Sequence, residues 1–152
     1  MALRAQFTDA EWQTLEKTPI WGFLMTAAAD SNIDAKEDQA FVKELMEAHL
    51  YKDELVREVF SSCAADFAQL YPDCLIAPQQ LLSSLESARA LLEERVPAHA
   101  EPFKAAVLLV CKNVAEASGG SIFHREPHDR ISEEEMRSLL LLAATLGIRL
   151  SA

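Results

Sequence analysis

The sequence predicts an all-α fold of about seven helices, two related helix-loop-helix units joined by a helical spacer. Three observations carry that prediction. Only four glycines occur in 152 residues, and no run alternates apolar with polar side chains, so strands are not expected. Apolar residues recur at spacings of three and four, the period of an amphipathic helix. One pattern also occurs twice: small residues, a polar loop, an Ile, then a capping residue with Glu three positions later. The first copy runs from Ala27 through Asp30, Asn32, Ile33 and Asp34 to Glu37. The second runs from Ala115 through Ser118 and Gly119, then a loop, to Ile131, Ser132 and Glu135.

Taken in order, Thr8 and Glu11 make a capping box that starts a short helix to about Lys17. Thr18-Pro19 reads as a second start, with Pro at the first helical position. The helix that follows is apolar on nearly every side through Ala29, which places it at the centre of a domain. Asp34 opens the third helix, with Phe41, Val42, Leu45 and Met46 as its inner stripe, fading between His49 and Tyr51. Asp53 begins a fourth, striped by Val56, Phe60, Cys63, Phe67 and Leu70 and ended by Pro72. Pro78 starts a fifth, with Leu81, Leu85, Ala88 and Leu92 facing inward. Pro97 and Pro102 bracket a turn before the sixth helix, which carries Phe103, Val107, Val110, Val114 and Ala117 inward and stops at Ser118-Gly119-Gly120. After an irregular stretch to Arg130, Ser132 and Glu135 cap the last helix, Ile131 can staple to Met136, and Gly147 ends it. Leu139 to Leu142 are consecutive leucines, so this helix is buried on more than one side or lends a face to a protein partner. The expected core includes Trp21, Leu24, Phe41, Leu45, Phe60, Phe67, Val107, Val110, Leu140 and Ala143.

Composition narrows the function. At this length one domain over residues 1–152 is the default. Half the residues are apolar, which excludes disorder. Acidic residues outnumber basic ones 24 to 14, a net charge of -10. Nucleic acid is therefore not an expected partner, since phosphate binding needs clustered Lys and Arg. A cation, or a protein with a basic surface, suits the charge better. The odd cysteine count (Cys63, Cys74 and Cys111) and the absence of Cys-x-x-Cys point to a reduced, cytoplasmic chain. No signal-peptide core and no run of membrane-spanning length is expected.

The candidate chemistry sits in the first loop. Asp30, Asn32 and Asp34 have the opening spacing of an EF-hand, but Ala35 stands at the required Gly and Phe41 at the required bidentate Glu. A simpler oxygen site remains, with Asp30, Asn32, Asp34 and Glu37 around a weakly bound divalent cation. Helix capping alone accounts for Asp34 and Glu37 as well. His124 and His128 lie four apart, but Pro127 between them opposes a continuous helix, and a zinc site there would need a third ligand. No Glu-x-x-His, Gly-rich phosphate loop or nucleophile elbow occurs.

The paired units resemble the tellurite-resistance TerB-like family. The resemblance rests on residues 28–37 and on Ala117-Ser118-Gly119 with Ile131 to Glu135, and it spans most of the chain. Three departures stand out: Ser31 replaces a Gly, Ser118 replaces an Asp, and the stretch before Ile131 is an insertion. The resemblance implies a role in a bacterial response to tellurite or related chemical stress. It also implies metal-linked complexes near the inner membrane and no established reaction. In the second copy Asp129 is the candidate substitute for the missing charge, with Glu135 as the other expected ligand. The leading expectation is a non-enzymatic binding module acting through its acidic loops, a protein partner and, in some settings, a second copy of itself. Its rivals are a metal-dependent enzyme using the same carboxylates and a purely structural interaction protein.

Overall fold

The computed structural model describes residues 2–27, 35–119 and 133–148. Among the described residues there are seven α-helices and no strand. They are α1 (Ala2–Ala5), α2 (Asp9–Ala27), α3 (Ala35–Met46), α4 (Glu54–Cys74), α5 (Pro78–Arg95), α6 (Pro97–Gly119) and α7 (Glu133–Leu146), with a short 3-10 turn at Ala48–Leu50.

The number matches the expectation, but the membership differs. The two helices expected on either side of Thr18-Pro19 are one continuous helix, α2. The capping box that starts it is present: Glu11 N–H donates to Thr8 Oγ1 at 3.1 Å, and Thr8 N–H donates to Glu11 Oε1 at 2.9 Å. Pro19 removes one backbone donor, a cost of about 3 kcal/mol inside a helix. Burial of Leu15, Ile20, Trp21, Phe23 and Leu24 offsets it, because each such side chain contributes about 1.5–3 kcal/mol. The same reasoning explains Pro72 and Pro102, which also lie within helices rather than at their ends. Beyond Pro72, Cys74 is buried one turn after Leu70 and holds the last turn of α4 in place. The remaining helix is α1, where Leu3 and Phe7 are buried, Phe7 packs on Trp12, and the Arg4 guanidinium lies 5.1 Å over the Trp12 ring.

Helix α2 is the centre of the fold, packing against α4, α5, α6 and α7. Helix α3 lies against α4 and α6, and α5 lies against α2, α6 and α7. Close approach to α2 depends on Gly22. A Cβ there would stand 3.1 Å from Val107 Cγ1, 3.2 Å from Cys111 Sγ and 3.4 Å from Leu142 Cδ2. The glycine thus lets α6 and α7 close on α2 together. Phe23 stacks on Phe41 at 4.5 Å, joining α2 to α3, and Phe60 meets Phe103 edge-on at 5.6 Å, joining α4 to α6. A fully buried Lys104 bridges α5 and α6, with its Nζ 2.5 Å from Glu93 Oε2 and 3.1 Å from Glu101 Oε2. Gly147, at φ 79°, ends α7, with Ile148 N–H donating to the Ala143 carbonyl at 2.8 Å.

Of the expected core, Trp21, Leu24, Phe41, Leu45, Phe60, Val107, Val110 and Ala143 are buried. Phe67 is only half-buried, packed between Phe41 and Tyr71. Leu140 is a correction: it is 49% exposed. Helix α7 turns Leu139, Leu142, Ala143 and Leu146 inward, and Leu140 and Leu141 fall on its outer side. Met46, the last residue of α3, is likewise exposed and not part of its inner stripe. Ile131, the expected staple for Met136, lies outside the described residues, and Met136 is 45% exposed. Among the described residues no helix is long and apolar enough to cross a membrane.

Candidate functional site

Asp30, Asn32, Asp34 and Asp129, with His124 and His128, lie outside the described residues. Glu37 and Glu135 lie within them, and the fold brings the two together. Each is the third residue of its helix, Glu37 in α3 and Glu135 in α7. Both are buried, although charged side chains seldom are. They line one small cavity with Phe23, Thr26, Ala27, Cys111, Val114 and Ala115. The cavity therefore sits where the C-terminal part of α2 and the later turns of α6 meet the first turns of α3 and α7.

Its volume is about 10 Å³, room for about one water-sized particle. The wall chemistry is mixed. Phe23, Val114 and the two alanines are apolar and keep the local dielectric low. Thr26 Oγ1 donates to the Gly22 carbonyl at 2.9 Å. The Cys111 thiol is pushed up to about 12 by burial, with its side-chain hydrogen bond to Thr26 pulling the other way. At neutral pH it is a protonated thiol, neither a nucleophile nor a ready soft-metal ligand. The carboxyl oxygens in the wall are those of Glu37 and Glu135, a set that favours a hard cation over a thiophilic one. Among the described residues no three His, Cys, Asp or Glu side chains gather as a metal-binding group.

Charged groups elsewhere serve the packing. Glu16 of α2 is buried against α4 and receives a hydrogen bond from Ser62 Oγ. Its pKa is raised by burial and by neighbouring Asp66, with the Ser62 bond acting in the opposite sense. Cys63 is also raised by burial, and Cys74 is pushed up to about 12 for the same reason, which fits their place on apolar stripes.

Sequence reasoning found Glu37 and Glu135 through their capping spacing but not the cavity they share, nor Thr26 and Cys111 in its wall. Those two sit at buried helical positions, and nothing in their spacing marks them as neighbours. A second feature was also missed. A cleft of about 380 Å³ lies at the far end of α3, lined by Glu44, Glu47, Leu50, Tyr51, Leu109 and Asn113. The sequence had suggested only a fading helix there.

No family model matches the chain, and no solved structure matches it significantly. A curated relative is "Uncharacterized protein ORF11'" of Methanothermobacter thermautotrophicus, 31% identical over 126 residues that cover 79% of this chain and 82% of the relative. The chain belongs to the same family as that protein.

Proposed function

We propose that this chain is a helical binding module with no reaction of its own. In this reading two related helix-loop-helix units, α2–α3 and α6–α7, bring their acidic residues to one junction and hold a single hard divalent cation there. The observation that supports it is the shared cavity of Glu37 and Glu135. These residues occupy the same place in the two copies of the sequence pattern. The packing is also reciprocal: α3 lies on α6, and α7 lies on α2. Two carboxyl groups lining one small, largely apolar space supply the hard oxygen donors that a divalent ion prefers. The chain joining Ala27 to α3 carries Asp30, Asn32 and Asp34, so further oxygens are available within a few residues of the cavity wall.

Binding is weak, because a cavity of this size and two protein carboxylates fall short of the six to eight oxygens of a calcium cage. Calorimetric titration with calcium, magnesium, manganese and zinc tests the reading. Wild type should bind one of the hard ions with an affinity of about millimolar to high micromolar, roughly -4 to -6 kcal/mol. Asp30→Ala and Glu37→Gln should abolish the heat. No heat from wild type, or equal heat from all three proteins, sinks the cation reading and leaves the two glutamates as helix caps. The resemblance to TerB-like proteins extends the proposal to tellurite or related stress in company with a protein partner. Growth in tellurite of cells with and without the chain tests that extension.

A further inference from the structure

The end of α3 distant from the glutamate cavity carries an unusual surface. Met46 is 67% exposed, Leu50 70% and Leu109 43%. Single exposed apolar residues need no explanation, but a contiguous group marks an interaction site. Leu50 and Leu109 face the 380 Å³ cleft with Tyr51. Met46 and Val42 line a second hollow of about 510 Å³. Glu47 lines both, so the two hollows adjoin at this carboxylate and together make up a trough.

The charge on that trough is lopsided. Among the described residues Glu44, Glu47 and Asp38 line it, against Lys43. Asn113 Nδ2 donates to Glu44 Oε1 at 2.9 Å and holds that carboxylate at the α3–α6 seam. The negative field reaches the half-buried Tyr51 phenol, whose pKa is raised by burial and then by Glu44 and Glu47. Glu47 caps nothing with its side chain. A carboxylate with no local structural duty beside three exposed apolar residues is what a cationic, apolar partner needs.

We propose that this trough is the docking site for an amphipathic helix of a partner protein, apolar along one stripe and flanked by Lys or Arg. A strand is the poorer fit, since the described residues offer no sheet edge for it to extend. An anionic lipid surface would meet Glu44 and Glu47 with like charge. A second copy of this chain would do the same, acid against acid in a two-fold contact. The exposed apolar residues of the trough lie apart from the proposed cation site, although Asp38 at its near end adjoins Glu37. Glu37 and Met46 are nine residues apart on α3, about 14 Å along its axis.

The probe is a fluorescently labelled synthetic peptide of about 18 residues, long enough for five helical turns. Its Leu residues lie along one stripe, with Lys on the rest. A peptide with Glu in place of Lys is its partner control. Anisotropy titrations use the whole chain, its Leu50→Asp and Glu47→Lys variants, and Glu86→Lys, which makes the same charge change at an exposed α5 position outside the trough. Circular dichroism checks that each variant is folded. The Leu/Lys peptide should bind wild type and Glu86→Lys alike, and bind Leu50→Asp and Glu47→Lys about thirtyfold more weakly, the loss expected of a hot-spot residue. The Leu/Glu peptide should not bind. Failure of the Leu/Lys peptide to bind, equal weakening by Glu86→Lys, or unchanged binding to Leu50→Asp overturns the proposal. So does a dimer seen by sedimentation, or attachment to anionic phosphatidylglycerol vesicles, that Leu50→Asp abolishes. The cation titration is unaffected by any of these outcomes.

Discussion

His99 Nδ1 stands 2.8 Å from Asp53 Oδ1, while the other oxygen of the same carboxylate, Asp53 Oδ2, accepts the backbone N–H of Val56 at 3.1 Å. One side chain therefore caps α4 and tethers the first turn of α6 to it. The two residues are 46 apart in sequence, and both are largely shielded from water.

Asp53→Ala should lower stability by about 2 kcal/mol, about 1 for the lost cap and about 1 for the lost hydrogen bond. His99→Ala should cost about 1 kcal/mol. Because one carboxylate serves both contacts, the double variant should be no worse than Asp53→Ala. A urea-denaturation double-mutant cycle measures this, and strictly additive losses would show the two contacts to be independent.

Glu16 predicts a pH-dependent difference. Its pKa is raised in the folded protein by burial and by Asp66, so the folded state keeps this proton at pH values where the unfolded chain has released it. The group's contribution to stability is complete below the ordinary glutamate pKa and is lost as pH rises through the folded value. Glu16→Gln keeps the shape and can still meet Ser62, but it carries no charge. Its melting temperature should exceed that of wild type at neutral pH, and the gap should close toward acid pH. A variant that melts lower than wild type at neutral pH would show that the charged form of Glu16 is favoured.

Two apolar truncations should differ sharply. Trp21 is buried against the central packing of α2, so Trp21→Ala should cost about 3–5 kcal/mol. Leu140 is half open to water on the outer face of α7, so Leu140→Ala should stay within about 0.5 kcal/mol of wild type. Thermal melts of the two variants check the contrast. A large loss from Leu140→Ala would mean that the outer face of α7 is covered in solution.

All three cysteines should be silent to a thiol reagent in the folded protein. Cys63, Cys74 and Cys111 are buried and unbridged, and the thiols of Cys74 and Cys111 are pushed up to about 12 by burial. Thiolate is the reactive form, and almost none exists at neutral pH. In a DTNB assay, labelling should therefore follow unfolding as denaturant is added. Rapid labelling of any one of them in buffer would contradict its burial.

The helical class was legible because period is a local property, and the stripes of α4 and α5 could be read one side chain at a time. The caps at Thr8 and Asp53 and the stop at Gly147 were legible for the same reason, each motif spanning only a few residues. The prolines misled because the cost of breaking a helix is local, while the burial that outweighs it at Pro19 comes from α4, α5, α6 and α7. The leucine run failed differently. Leu139 to Leu142 cover every direction around α7, so only the docked helix reveals that Leu139 and Leu142 face inward and Leu140 outward. At the candidate site, each glutamate was visible through its spacing from a capping residue. That Glu37 and Glu135 share a wall with Thr26 and Cys111 depends on how α2 and α6 pack, and no short stretch of sequence encodes it.

The position of α2 bears on how the chain is made. It leaves the ribosome ahead of α4, α5, α6 and α7, all of which pack against it, and the last of them, α7, comes more than a hundred residues later. Until then a helix apolar on nearly all sides has an uncovered flank, with Gly22 open where α6 and α7 will close. Nascent chains stalled before α7 are thus the species most prone to aggregate or to occupy a chaperone. Emergence of α7 should relieve both at once, because it closes a remaining side of α2.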